Sequence, residues 1–161
     1  HLSSFAKQLK TAAEFINSGL ETKVYYVSMG GFDTHASQSN RQSRLLKTYA
    51  EAIDIFANDL EASNSFKDTL IVTFSEFGRR VQQNAAAGTD HGAASNLFII
   101  GKQLKKPGFY NASPDLSNLD SNGDLKYSID FRSIYATILE HWLDANHSNI
   151  LGKSFETLNF I

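Results

Sequence analysis

Thr69-Leu70-Ile71-Val72-Thr73-Phe74 runs directly into Ser75-Glu76-Phe77-Gly78-Arg79-Arg80. The first six residues show no polar alternation, the pattern of a strand buried on both faces of a parallel sheet. The next six place an acid and two arginines around a glycine at that strand's end. Two further runs read as strands. Lys23 to Met29 (K-V-Y-Y-V-S-M) is β-branched and aromatic and opens into Gly30-Gly31, while Asn96 to Ile100 (N-L-F-I-I) is closed by Gly101. Helical spacing lies between and around them. Ser4 caps a helix to about Asn17, with Phe5, Leu9, Ala12, Ala13 and Ile16 on one face and Gly19 as the stop. A longer helix covers Ser39 to Ala62, striped by Leu45, Leu46, Tyr49, Ile53, Phe56 and Leu60. Asp130 caps a third from Phe131 to about Leu143, with Ile134, Tyr135, Ile138, Leu139 and Trp142 inward. Strands separated by helices predict an α/β layered architecture.

Between Lys102 and Ile129 the pattern gives way to turn chemistry, and Phe155, Leu158 and Phe160 read as anchors of a docked tail. The 161 residues suffice for one domain with a real core, spanning 1–161. A 42% hydrophobic and 20% charged composition is that of an ordinary globular protein. Net charge is −2 with scattered basic residues, so no nucleic-acid partner is expected. No run approaches the roughly 20 apolar residues that cross a bilayer, so no membrane insertion is expected. Cysteine is absent, which excludes disulfides and thiolate metal sites.

The residues with chemistry in them cluster beside glycines. In Gly30-Gly31-Phe32-Asp33-Thr34-His35, the acid and the histidine are two apart and would face one way in an extended loop. A turn aspartate beside a hydrogen-bonded loop histidine would read the same. A tight loop after a strand is where open α/β sheets take ligands. Asp90-His91 lies between Gly88 and Gly92; one of the pair can ligate while the other orients it. Glu76 is either a ligand or the partner of an arginine. Arg79 and Arg80 can hold an anion or stand as surface charges. Carboxylate oxygen and imidazole are donors for a hard or borderline divalent ion.

Other signals are weaker. Ser28, Glu76 and His91 follow the order of a serine hydrolase triad, but Tyr26 stands where a nucleophile elbow needs glycine. Asn118, Asp120, Asn122 and Gly123 resemble half a calcium loop, with Ile129 where the closing glutamate belongs. His141 and His147 read as structural or exposed, and His1 is uninformative.

G-G-F-D-T-H-x-x-Q (Gly30 to Gln38), S-E-F-G-R-R (Ser75 to Arg80), G-T-D-H-G (Gly88 to Gly92) and D-F-R-S-I-Y-A-T (Asp130 to Thr137) together resemble DUF1501, a bacterial family of unknown function. The resemblance covers nearly the whole chain. That family is similar in turn to the alkaline phosphatase and sulfatase superfamily. This implies an α/β/α sandwich with a mostly parallel sheet, present here as an incomplete, C-terminal half. It also implies hydrolysis of a small anionic phosphate or sulfate ester at a divalent metal, zinc first, with manganese, calcium or magnesium as alternatives. Asp33, His35 and His91 match one metal's ligands. Glu76 and Phe77 stand where a second metal takes an Asp-His pair; Glu76 can still ligate, Phe77 cannot.

By the same resemblance Asp90 acts behind the ligands and Arg79 binds the anionic substrate. The catalytic nucleophile belongs to an earlier strand outside these residues, so no turnover is expected from this chain alone. Family members usually carry an export signal, which implies a periplasmic or extracellular location. An incomplete sheet would leave an edge open to self-association. The competing expectations are a secreted, non-catalytic binding or scaffold domain with a degenerate metal site, and a serine hydrolase using Ser28.

Overall fold

A computed structural model describes residues 2–161; His1 lies outside them. The elements, in chain order, are α1 (Ser4–Asn17), α2 (Gln38–Ala62), a 3-10 turn (Phe66–Asp68), β1 (Ile71–Thr73), β2 (Gly78–Arg79), β3 (His91–Gly92), β4 (Phe98–Ile100), α3 (Phe131–His141) and α4 (His147–Leu151).

The core is the seam between α1 and α2. Phe5, Leu9, Ala12 and Ala13 of α1 meet Ala52, Ile53, Phe56 and Leu60 of α2, and Leu60 is wholly buried. Three alanines in that seam let the helix backbones approach closely. Burying apolar surface there contributes about 25 cal/mol per Å². Ser3, not Ser4, caps α1, its hydroxyl accepting from the Ala6 N–H at 3.1 Å. The α2 stripe is buried only over its second half, and Leu46 is exposed. Tyr49 ties α2 to β1 through a 2.7 Å hydrogen bond with Thr73 Oγ1.

The expected layered α/β/α sandwich with a mostly parallel, alkaline phosphatase-like sheet is not what forms. The chain is mostly helix and coil, with two small two-stranded antiparallel sheets. β1 pairs with β4 in the register Ile71↔Ile100, Val72↔Ile99, Thr73↔Phe98. The reason lies in the connection. A parallel pair needs a crossover of a dozen or more residues, usually a helix. Residues 74–97 contain no helix, so the chain doubles back and returns antiparallel.

Lys23 to Met29 is also corrected: it is extended but belongs to no sheet. Tyr25, Val27 and Met29 pack on the core while Val24, Tyr26 and Ser28 face outward, so the strand periodicity is real. Its neighbour is a side chain. The Gln8 amide accepts from the Ser28 N–H at 3.2 Å and donates to the Ser28 carbonyl at 3.1 Å, taking the place of a ladder partner.

The second sheet is a ribbon inside that long return. Gly78 pairs with Gly92 and Arg79 with His91. A Cβ on Gly78 would lie 1.8 Å from the Ala94 carbonyl oxygen, so only glycine permits this approach.

Asp130 caps α3, accepting from the Arg132 N–H at 2.9 Å. Buried Thr137 holds the tail to α3: its Oγ1 accepts from the Leu158 N–H at 2.7 Å and donates to the Ser133 carbonyl. Phe160 is buried, in keeping with a docked end. Residues 102–129 are turns. Asp120 Oδ1 accepts from the N–H groups of Asn122 and Asp124 at 2.8 and 2.9 Å, so the half calcium loop is a self-satisfied turn. His141 is exposed; His147 is buried, its Nε2 accepting from the Phe155 N–H at 3.2 Å. Among the described residues no helix is long and apolar enough to cross a membrane.

Candidate metal centre

Two loops make the site. The first follows Gly30-Gly31, with Gly31 at φ +99°, and carries Asp33 and His35 into the start of α2. The second joins β2 to β3 and carries Asp90 and His91. Main-chain bonds lace them together: Ser37 and Gln38 donate to the carbonyls of Ala86 and Ala87 at 2.9 and 3.1 Å. Gly88 is buried at the crossing, where a Cβ would stand 2.4 Å from the His35 carbonyl oxygen.

The crossing brings three side chains from these loops to one point. Ligand atoms of Asp33, His35 and His91 all lie within 4.8 Å of one another. Asp33 Oδ1 is 2.9 Å from Nε2 of both histidines. That is slightly inside the edge, about 3.3 Å, of a tetrahedron built on zinc-type bonds of about 2 Å. Those two separations are therefore within a few tenths of an ångström of what such an ion needs, and the two imidazole nitrogens lie no more than 4.8 Å apart. The three side chains are 45 to 67% exposed, which leaves open positions for water or substrate. One oxygen and two imidazole nitrogens form a borderline donor set, and three protein ligands with an open side is the arrangement of catalytic rather than structural zinc.

Asp90 stands behind His35, its Oδ1 3.3 Å from Nδ1. With an ion on Nε2 the proton of His35 would sit on Nδ1 and donate to Asp90, which would set the ring orientation. Asn84 holds Asp90 in turn. Its Nδ2 donates to Asp90 Oδ1 at 3.2 Å and to the His35 carbonyl at 3.0 Å, while its Oδ1 accepts from the N–H groups of Ala86 and Gly88. Sequence reading passed over Asn84; the available signal was an asparagine opening a short Ala/Gly turn. The hydrogen bond from His91, then that from His35, holds the Asp33 carboxyl below its ordinary range. Asn84, then His35, does the same for Asp90. Both acids are ionised at neutral pH and ready to serve a cation.

Glu76 is exposed and is not part of the three-residue group. Arg79 points inward: Nη1 donates to the Thr89 carbonyl and Nη2 to the Phe32 carbonyl and Thr34 Oγ1, which staples the two loops beside their acids. Arg80 pairs with Asp124 at 3.3 Å and bonds the Asn122 carbonyl, anchoring the 102–129 turns. Phe77 lies face to face on His91, with ring centroids 3.9 Å apart and planes 10° from parallel. Among the described residues no hydrogen bond joins Ser28 to Glu76 or His91, and Ser28's main chain is taken by Gln8.

A family model described as protein of unknown function (DUF1501) matches residues 3–154. The chain belongs to the DUF1501 family. No curated protein and no solved structure matches it. The matched span contains both loops of this DUF1501 site, the Phe77 stack and the α3 cap.

Proposed function

We propose that Asp33, His35 and His91 hold one divalent ion, zinc in the first instance, and that the intact protein is an exported metal-dependent hydrolase of phosphate or sulfate esters. The observation that carries this is the convergence of three ligand atoms within 4.8 Å from loops more than fifty residues apart. When bound, such an ion polarises an ester oxygen and lowers the pKa of water. Asp33 supplies the charged oxygen ligand. His35 and His91 supply neutral nitrogens through Nε2, and Asp90 keeps the Nδ1 proton of His35 in place. Arg79 spends its two terminal nitrogens on loop carbonyls, so the open face of the ion, rather than that guanidinium, receives the substrate oxygen. The ester class and the export come from the resemblance to the alkaline phosphatase and sulfatase superfamily. That resemblance also assigns the nucleophile to residues outside this chain.

Calorimetric titration of the metal-stripped chain with zinc, and separately with manganese, tests the reading. Saturable binding near one equivalent, lost or strongly weakened in both Asp33→Ala and His91→Ala, is the expected result. Titrations in which wild type takes up no zinc, or both variants bind as wild type does, reject the centre.

A further inference from the structure

The two histidines of the centre are not supported alike. His35 has a carboxylate at its second nitrogen, the arrangement that normally fixes a metal-binding imidazole. His91 does not: among the described residues nothing hydrogen-bonds its Nδ1, and its one bond is Nε2 to Asp33. A histidine held at one nitrogen is free to rotate about χ2 and to swing its donor away, yet the two nitrogens must arrive at a single point.

What His91 has instead is a flat partner. Phe77 is stacked on it at 3.9 Å and 10°, and His35 leans over it at 4.9 Å and 35°. Phe77 precedes β2 by one residue, and its side chain lies on the same face as Arg79, the cross-strand partner of His91. The Arg79 guanidinium carbon sits 5.1 Å from the centre of the Phe77 ring. Arg79 is in turn fixed by its bonds to the Phe32 and Thr89 carbonyls, one residue from Asp33 and Asp90. The chain of support runs from both loops through Arg79 to Phe77, and from Phe77 to the plane of His91.

We infer that Phe77 is a positioning residue of the centre: its ring face sets the plane of His91 in place of the missing hydrogen bond and keeps Nε2 on the ion. This rests on the proposed metal reading and deepens it. A side chain that cannot ligate thereby acquires a part in the site, so Phe77 is not in itself a mark of a degenerate centre. The ring need not be phenyl, but it must be flat and aromatic. Leucine fills similar space but has no ring face with which to restrain an imidazole held at one nitrogen.

The test compares wild type, Phe77→Leu and Phe77→Tyr in two measurements. The first is the proton NMR shift of the His91 ring in the metal-free chain, where a stacked phenyl displaces the signals upfield. The second is zinc affinity by calorimetry. Phe77→Leu is expected to return the His91 ring signals downfield and to weaken zinc by about 10- to 100-fold, the range for losing an orienting partner. Phe77→Tyr is expected to keep both. Unmoved His91 signals in Phe77→Leu overturn the inference, as does zinc affinity equal to wild type, or Phe77→Tyr failing as badly as Phe77→Leu. Should wild type take no zinc, the metal reading fails and the ion's part in this inference with it. The NMR comparison still decides whether Phe77 sets the His91 plane.

Discussion

Replacing Gly88 by alanine should damage the centre without removing any ligand. The new Cβ would lie 2.4 Å from the His35 carbonyl oxygen and 2.9 Å from the Ala36 nitrogen. Carbon–oxygen contacts settle at about 3.3 Å or more, so the two loops must part by roughly 1 Å. The obstacle is backbone rather than the end of a flexible side chain, so the strain cannot be relieved locally. The ligand atoms span no more than 4.8 Å, and a shift of this size moves His91 by roughly a fifth of that span relative to Asp33 and His35. We expect zinc affinity to fall about 10- to 100-fold, about 1.4 to 2.8 kcal/mol. Overpacking should cost folding stability about 1 to 3 kcal/mol as well.

Gly19→Ala is the control. Gly19 has φ +76° with nothing within 4 Å of its virtual Cβ, so the substitution strains the backbone far from the centre. Calorimetry gives the zinc affinities and urea unfolding the stabilities. Gly88→Ala binding zinc as wild type, or Gly19→Ala weakening zinc equally, would refute the reasoning.

Two further predictions concern the scaffold. Leu60→Ala, at a fully buried position in the α1–α2 seam, should cost about 2 to 5 kcal/mol in urea unfolding, and a loss under 1 kcal/mol would show that the seam is not the core. Asp130→Asn keeps an acceptor at the α3 cap but removes the charge that faces Arg132. Arg132 holds the Asp130 carboxyl down to about 2. Because the folded value lies below the unfolded one, about 3.9, this stabilisation is complete above pH 4 and fades as pH falls toward 2. The melting-temperature gap between wild type and Asp130→Asn should therefore narrow across that window. A gap constant from pH 6 to pH 2 would contradict the assignment.

Much of the helical structure was legible because its signals are local. Asp130 announced α3, and the apolar spacing of Phe5, Leu9, Ala12 and Ala13 announced the buried face of α1. The extended character of Lys23 to Met29 was legible too, since its side chains alternate as a strand's do. Its lack of a partner was not, because that depends on Gln8 occupying the main chain of Ser28. α4 went unread: five residues capped by Asn146 and stopped by Gly152 leave little periodicity to see. In the site, Asp33, His35 and His91 stand out as donors beside glycines, but nothing in a linear reading separates them from Glu76, which lies outside the group.

The sequence by itself determined where the three longer helices lie, to within a residue or two at their ends, and which side chains can serve an ion, because caps, periodicity and donor chemistry belong to individual residues and near neighbours. Only the tertiary structure decided strand direction, the crossing of the two loops at Gly88, the hub at Asn84 and the pairing of Phe77 with His91. Each of these depends on which distant segment arrives alongside. A helix closes its hydrogen bonds within four residues, whereas a strand or a site closes them against chain from anywhere in the sequence, and here a return without a helix turned the expected parallel sheet antiparallel.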